Sequence, residues 1–571
     1  MLNWITGKFR QDATDNPDHP LGTEAAIQEF LADLAPSRHE NNLLEVVAWL
    51  SEPERISADL STDGYLRAIM RLDEFAQGQA LALWTHVLAE RRIDHLVEQK
   101  LRTLDSFYNA RHQANLAALK VLRDKPEVGG PNAATLRGLI AQRAMAGLAG
   151  KLRVMRVRYR SPDAHWWEAV TVILRISQAM GVINLRQRSY PDDASPSSCW
   201  VELLIVLFFE VAPVGNCTPQ QMELLYRVLR WLEPHFMVQD TYSPQAQWMV
   251  RLDSASAPVK SIGAVAPDPA LVFFGPGLAY SRLIGFRTTL ATAKETPDWL
   301  ASTYCAKDAA LATVDSLIMH WSERPPQRRT KRTQNDSHLR VASGFSNIRR
   351  VIAFSEFARS GRKIGYKSHL EMLKFERRGF ADSVQVSKDD EEKWQNASPL
   401  QTLEILETAG DKQMMDDWIS QDVSETGIGA TAPFLRPWMS IGVYAGYRQH
   451  GEVDWRIGIV RRIHRTEHGH PSVGIETFSE VPSCAQVRRI VLVKPDANPW
   501  HEATREGGTF EDAIVLSMMK SLILLPAGMF MGGAHMVLML SGQRFPIKLL
   551  ELVHRNPDCD CIRFEMCDQD E

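Results

Sequence analysis

Between residues 322 and 337 the chain reads SERPPQRRTKRTQNDS. Prolines, like charges and turn formers leave nothing in this stretch to pack, so no single hydrophobic core runs through it. The hydrophobic period also differs on its two sides. Upstream, to about residue 320, long stretches rich in Ala, Leu, Glu, Arg and Gln carry apolar residues at helical spacing, such as Leu66, Ile69 and Met70, or Leu101, Leu104 and Tyr108. Thr218-Pro219 stands before QQMELLYRVLRWLEP, a cap-type residue and a first-turn proline ahead of an amphipathic run. No solenoid period is present.

Downstream, HLRVASGFSNIRRVIAF (338–354) reads as a strand running into a helix, and residues of about 355 to 410 are charged and helical. From 418 onward the pattern is β. WRIGIVRRI alternates Trp455, Ile457 and Ile459 against Arg456, Gly458 and Val460, and VGIETFS (473–479) follows a turn at EHGHPS. Ser541-Gly542 marks a hairpin turn between MVLML and RFPIKLLELV. These patterns predict an α+β multidomain chain. Residues 1–320 are mainly α-helical, and in 321–500 the short strands with turns between them suggest a small barrel or sandwich. Residues 501–571 are a C-terminal β segment that either extends the barrel or forms a second small one.

A length of 571 residues suffices for several domains with proper cores, and a net charge of −4 gives no global case for a nucleic-acid or membrane-surface protein. Any anion site must be local. The seven cysteines are few and mostly scattered, as in a reducing compartment, and the N-terminal text has no uninterrupted apolar stretch of a secretory signal, so a cytoplasmic location is expected. Two apolar runs bear on a membrane span. WVELLIVLFFEVA (200–212) is short and carries Glu202 and Glu210. SLILLPAGMFMGGAHMVLMLSGQ (521–543) is long enough, but Pro526, Gly528, Gly532, Gly533 and His535 break it into pieces that suit buried strands joined by turns. No span is predicted.

Residues 421–430 read QDVSETGIGA and hold Asp422-x-Ser424-x-x-Gly427, with a second glycine at Gly429. Taken locally this is a turn, because Asp and Ser hydrogen-bond their own backbone and Gly accepts positive φ. Its place in the chain says more. Arg328-x-x-x-Arg332, then β sequence, then Asp422-x-Ser424-x-x-Gly427, then Val460 with Arg461 and the strand VGIETFS, resembles the PilZ family of cyclic di-GMP receptors over roughly 322–495. The resemblance implies that 321–500 form a six-stranded antiparallel β-barrel, with the helical text at about 353–410 as an insertion in it, on which the two motifs hold the dinucleotide between them. It also implies a bacterial signalling receptor with Arg328, Arg329, Arg332, Asp422, Ser424 and Gly427 as ligand-binding residues.

Such a ligand brings two phosphates and two purines. Arginine forks onto phosphate or a guanine edge and stacks on a base. Asp422 can accept from guanine N–H groups or orient an arginine, Ser424 offers a hydroxyl, and Gly427 admits a flat ring close to the backbone. The chain departs from the family in the text between the motifs: about ninety residues separate Arg332 from Asp422, where family members have a short strand and turn. Arg324-x-x-x-Arg328 satisfies the same spacing, so the pair is either Arg324/Arg328 or Arg328/Arg332.

Other constellations carry less. His554, Cys559, Cys561 and Cys567 are zinc-type donors without Cys-x-x-Cys pairs, and on a strand Cys559 and Cys561 share a face as buried apolar residues do. His464, His468 and His470 surround a turn, as solvated loop histidines do. No metal, cofactor or catalytic residue is assigned, and the usual phosphate-loop, dinucleotide, zinc-protease and nucleophile-elbow motifs are absent, so no enzyme is expected. The expected function is a cyclic di-GMP receptor that changes domain arrangement on binding and contacts a protein partner through its helical half. The alternatives are a ligand-free scaffold of a motility, secretion or envelope apparatus and, less favoured, a nucleic-acid-binding protein using RPPQRRTKR.

Overall fold

The structure, a computed structural model, describes residues 15–361 apart from 17, 35, 91–92, 192, 194, 262, 264–265, 267 and 324–331, and then 396–409, 415–465, 469–491, 505–506 and 509–567. The fold is α+β and multidomain: a helical N-terminal half followed by antiparallel sheets that close into two barrels. The chain divides into two compact units, Met1–Gln327 and Arg328–Glu571.

In the first unit the long helices begin where the sequence supplies a capping side chain. Ser61 accepts from Gly64 N–H ahead of Thr62–Ala89, Asp94 from Val97 ahead of His95–Asp124, and Ser198 from Val201 ahead of Cys199–Val211. Thr218 and Gln221 form a reciprocal capping box at the start of Pro219–Leu232. The apolar faces read from the sequence point inward, with Leu66, Ile69, Leu101, Leu104 and Tyr108 buried, and the apolar run at 200–212 is a buried helix. Helices His95–Asp124 and Ala133–Val157 approach closely at Gly150, where a Cβ would lie 2.4 Å from the Tyr108 ring.

Three buried carboxylates tie these helices together. Asp73 faces Arg111 and accepts from the Tyr190 hydroxyl, Glu202 takes Arg230 and Ser197, and Glu223 takes Arg153, Arg227 and the Trp84 indole. The sequence reads this half as mainly α-helical, and besides its helices it contains a small antiparallel sheet. Strands β1 (Met237–Gln239), β2 (Trp248–Arg251), β3 (Val259–Lys260) and β4 (Leu271–Gly275) lie in the order β1-β4-β2-β3. Strands this short carry no period to detect.

The second unit opens with β5 (Thr333–Gln334), β6 (His338–Ser343), β7 (Met415–Ser424), β8 (Gly427–Thr431), β9 (Tyr444–Gln449), β10 (Arg456–Arg465) and β11 (Pro471–Ser479). Six of them close a ring in the order β6-β7-β8-β11-β10-β9, and β5 pairs with the end of β7 beyond the stretch that pairs with β6. The second ring uses β12 (Ser483–Val491), β14 (Glu511–Ser517), β15 (Leu522–Pro526), β16 (His535–Leu540), β17 (Gln543–Arg555) and β18 (Cys559–Met566), with β13 (Arg505–Glu506) on β12. The strand at 483–491, inside the range 321–500 read as one barrel, thus pairs into the second ring. The run at 521–543 supplies β15 and β16, and among the described residues no helix is long and apolar enough to cross a membrane.

The insertion leaves and re-enters the first barrel at adjacent strands. Ala342 of β6 and Met415 of β7 are Cα partners although the intervening chain makes a long excursion. That excursion starts with the helix Phe345–Arg359, earlier than the predicted 353, because Gly344 at φ 80° turns the chain straight out of β6. Helix Pro399–Ala409 precedes β7, and residues 362–395 and 410 of the predicted insertion lie outside the described residues. Ile348, Val351 and Ile352 of the first helix and Leu403 and Leu406 of the second join Trp455, Ile457 and Ile459 of the first barrel in one apolar cluster. The alternation of β10 is therefore buried on both faces, with Gly458 and Val460 turned to the barrel interior.

Candidate ligand site on the first barrel

Strands β7 and β8 form a hairpin with Glu425 and Thr426 as its loop, pairing Ser424 with Gly427, Val423 with Ile428 and Asp422 with Gly429. Ile428 and Ala430 are buried inside the barrel. An irregular step between Ser420 and Asp422 shifts the alternation of β7 and sets Asp422 beside Gly429 on the outer face. There a Cβ on Gly429 would lie 2.5 Å from Asp422 Oδ1. Gly427 is glycine for a related reason and not for a positive φ, because its Cβ would lie 2.3 Å from the Ile475 carbonyl oxygen. The space below Gly427, expected to admit a ring, is filled by β11. The Ser424 hydroxyl donates to the Gly427 carbonyl at 3.2 Å.

The basic segment meets this hairpin. Thr333 and Gln334 pair with Val423 and Asp422, so the chain just after Arg332 is held as a short strand against β7. Arg332 Nη1 stands 2.6 Å from both carboxylate oxygens of Asp422. About a third of each side chain remains exposed, so the pair is wet and reorganisable and not a locked core bridge. Ser420 fastens the incoming segment below it: its N–H donates to the Ser337 carbonyl at 2.9 Å and its hydroxyl to the Asn335 carbonyl. Arg328 and Arg329, and the alternative Arg324, lie outside the described residues. Of the six site residues read from the sequence, the structure thus brings Arg332, Asp422, Ser424 and Gly427 together.

The registers add two residues that motif reading misses, Gly474 and Arg462. Asp422 is opposite Gly429, Gly429 is opposite Gly474 of β11, and Gly474 is opposite Arg462 of β10. This row places two adjacent glycines as a floor between a carboxylate and a guanidinium, and both are buried, Gly429 under the Asp422 carboxylate and Gly474 beside the Arg462 side chain, whose Cβ and Nε lie 3.5 and 3.8 Å from where a Gly474 Cβ would stand. A flat ring can lie on such a floor once the Asp422 and Arg462 side chains swing aside, and its edges then meet those charged groups on either side. The next row pairs Gly427 with Glu476, which holds Arg461 at 2.6 Å. The available signal was the glycine at the second position of VGIETFS, aligned by strand pairing with Gly429, but strand pairing is not visible in one sequence.

The other donor groups stand elsewhere. Cys559 and Cys561 are buried in the apolar cluster, their thiols pushed by that burial up to about 12 and about 11. His554 packs edge-on against Tyr444, and His470 Nδ1 is 3.2 Å from the Pro433 carbonyl; His468 lies outside the described residues. No group of His, Cys, Asp and Glu with metal-binding geometry occurs among the described residues.

No curated protein matches the chain. Residues 25–245, all within the first unit, match the family described as the N-terminal domain of the cyclic-di-GMP receptor FimW, and over that helical region the chain is similar to that receptor.

Proposed function

We propose that this protein is a cyclic di-GMP-binding signalling receptor and that the first barrel, PilZ-like in its motifs, carries the site on its outer face. The observation that carries the reading is the Arg332–Asp422 pair, which joins two motifs 90 positions apart at one hairpin. The glycine floor of Gly429 and Gly474 and the similarity of residues 25–245 to a cyclic-di-GMP receptor support it.

On this reading Asp422 orients Arg332, and Arg328 and Arg329 of the preceding segment meet the ligand phosphates. Binding of that segment to the ligand changes how the helical half meets a protein partner, so the output is altered contact and not chemistry. The reading carries a cytoplasmic location with it. Calorimetric titration with cyclic di-GMP beside GTP and an unrelated oligonucleotide tests it. Cyclic di-GMP alone should bind, and Arg328→Ala, Arg332→Ala or Asp422→Ala should each weaken binding about ten- to a hundredfold, the worth of a charge-assisted contact of about 1.5–3 kcal/mol. Absence of binding, or equal binding of the oligonucleotide, sinks the reading.

A further inference from the structure

The two barrels have the same wiring. Numbering the six ring strands of each by chain order, β6, β7, β8, β9, β10 and β11 in one and β12, β14, β15, β16, β17 and β18 in the other, both close in the order 1-2-3-6-5-4. The strand registers align as well. The hairpin between strands 2 and 3 closes with Ser424 opposite Gly427 in the first barrel and with Ser517 opposite Leu522 in the second.

The row that forms the candidate floor in the first barrel, Asp422, Gly429, Gly474 and Arg462, corresponds in the second to Ile514, Leu524, Cys561 and His554. The carboxylate, both glycines and the guanidinium are therefore replaced by three apolar groups and an imidazole. The replacements are not exposed. Ile514, Leu522, Leu524, Cys559 and Cys561 lie in the apolar cluster that also contains Ile348 and Ile352 of the insertion helix and Tyr444, Ile457 and Ile459 of the first barrel. His554 ends the row against the Tyr444 ring, 5.5 Å between centroids. The interior of the second barrel is a separate cluster around Val515, Ile523, Leu525 and Phe564, so the outer face is used in addition to an ordinary barrel core.

We infer that the C-terminal barrel is a structural duplicate of the first whose ligand face has become its docking face, so that each chain holds a single dinucleotide site, on the first barrel. Apolar side chains where the first barrel has glycine fill the space over the strands, and burial of that face closes it to a charged ligand. The single-site assignment rests on the ligand reading above, whereas the docking assignment does not.

Two measurements on the full chain test it. Photolabelling with an azido analogue of cyclic di-GMP, followed by peptide mapping, should mark residues within 328–482 and none within 483–571, and Asp422→Ala should remove the labelling. Labelling of 483–571, or labelling that persists in Asp422→Ala at half the wild-type level, overturns the single-site inference. No labelling anywhere instead sinks the ligand reading and leaves the docking assignment to the second measurement. In that one, Leu524→Arg puts a charge into the docked face and should raise amide exchange in helix Phe345–Arg359 and β10 at least tenfold. Cys561→Arg, one strand over in the same row, is a second variant that should act the same way. If exchange there is unchanged in both variants, the docking assignment falls. If Leu524→Arg fails to fold, the Cys561→Arg result decides alone.

Discussion

Gly427 and Gly429 sit two positions apart on one face, yet their substitution should have different consequences. A Cβ on Gly427 meets the backbone oxygen of Ile475 at 2.3 Å, and backbone within a paired strand cannot yield without parting β8 from β11. Gly427→Ala is expected to cost about 1–3 kcal/mol, the usual range for overpacking, read from the urea midpoint of the second unit. A Cβ on Gly429 meets the end of the Asp422 side chain, which can swing away. Gly429→Ala should leave stability within about 0.5 kcal/mol but weaken cyclic di-GMP binding roughly tenfold, because it displaces the carboxylate that holds Arg332. Equal stability losses in the two variants would show that the Asp422 position is rigid. The spacing Asp-x-Ser-x-x-Gly was legible as a turn, and the order of motifs brought Arg332 to it. The reason for the glycines was not, since it depends on which strand lies alongside, and Arg462 and Gly474 were missed for the same cause.

At the scale of elements, one buried carboxylate adds to the apolar contacts that hold the insertion to the first barrel. Glu407, fully buried near the end of helix Pro399–Ala409, accepts from Arg448 Nη2 at 2.7 Å, from the Trp455 indole N–H at 2.9 Å and from Arg340. Removing it leaves Arg448 buried without its partner, so Glu407→Ala should cost about 3–5 kcal/mol. Glu407→Gln, which keeps an acceptor for Trp455, should cost less. The order of these two losses in chemical denaturation checks the assignment; equal losses would mean that packing, and not charge, holds the helix. The sequence shows 355–410 as charged helical text but gives no hint which charge is buried, because the partners stand 67 and 41 positions away. The hairpin turn at Ser541-Gly542 was fully legible by contrast. Its two residues take φ of 51° and 80°, a local requirement written in local residues.

Across the whole molecule the two units should respond differently to acid. Burial disfavours the charged forms of Glu202 and Glu223, but Arg230 beside the first and Arg153 and Arg227 beside the second outweigh it and hold both below the usual carboxylate range. Their contribution to the first unit is present above that range and is lost as pH falls through the lowered folded values. In the second unit, burial and then Arg461 lower His554 from 6.5 to about 4. Between those values the unfolded chain binds the proton and the folded one does not, so the second unit loses stability as pH falls from about 6.5 to about 4. His554→Gln should flatten that limb, checked by urea midpoints at pH 7 and pH 5. An unchanged slope would mean that the His554 site opens to water.

Signalling is also a property of the whole chain, because the proposed ligand residues and the FimW-like region fall in different units. The division lies between Gln327 and Arg328, inside the basic run, while the matched residues 25–245 all precede it. A ligand shifts a conformational equilibrium only by its difference in affinity for the two states. Cyclic di-GMP held by Asp422 and Arg332 alone would stabilise the second unit by mass action, about 2.7 kcal/mol at a hundred times its dissociation constant, and leave the first unit untouched. If Arg328 and Arg329 also bind, the ligand favours the state in which the basic run contacts it, and the first unit is drawn into the response. Amide exchange should therefore slow at residues 322–337 on addition of ligand and change on part of the surface of residues 25–245. Asp422→Ala should abolish both effects together while leaving the exchange of the unliganded protein as it was. Protection confined to β7, β8 and β11, with no change before residue 322, would mean that the barrel binds without signalling to the helical half, and the receptor mechanism would fail although the ligand assignment stood.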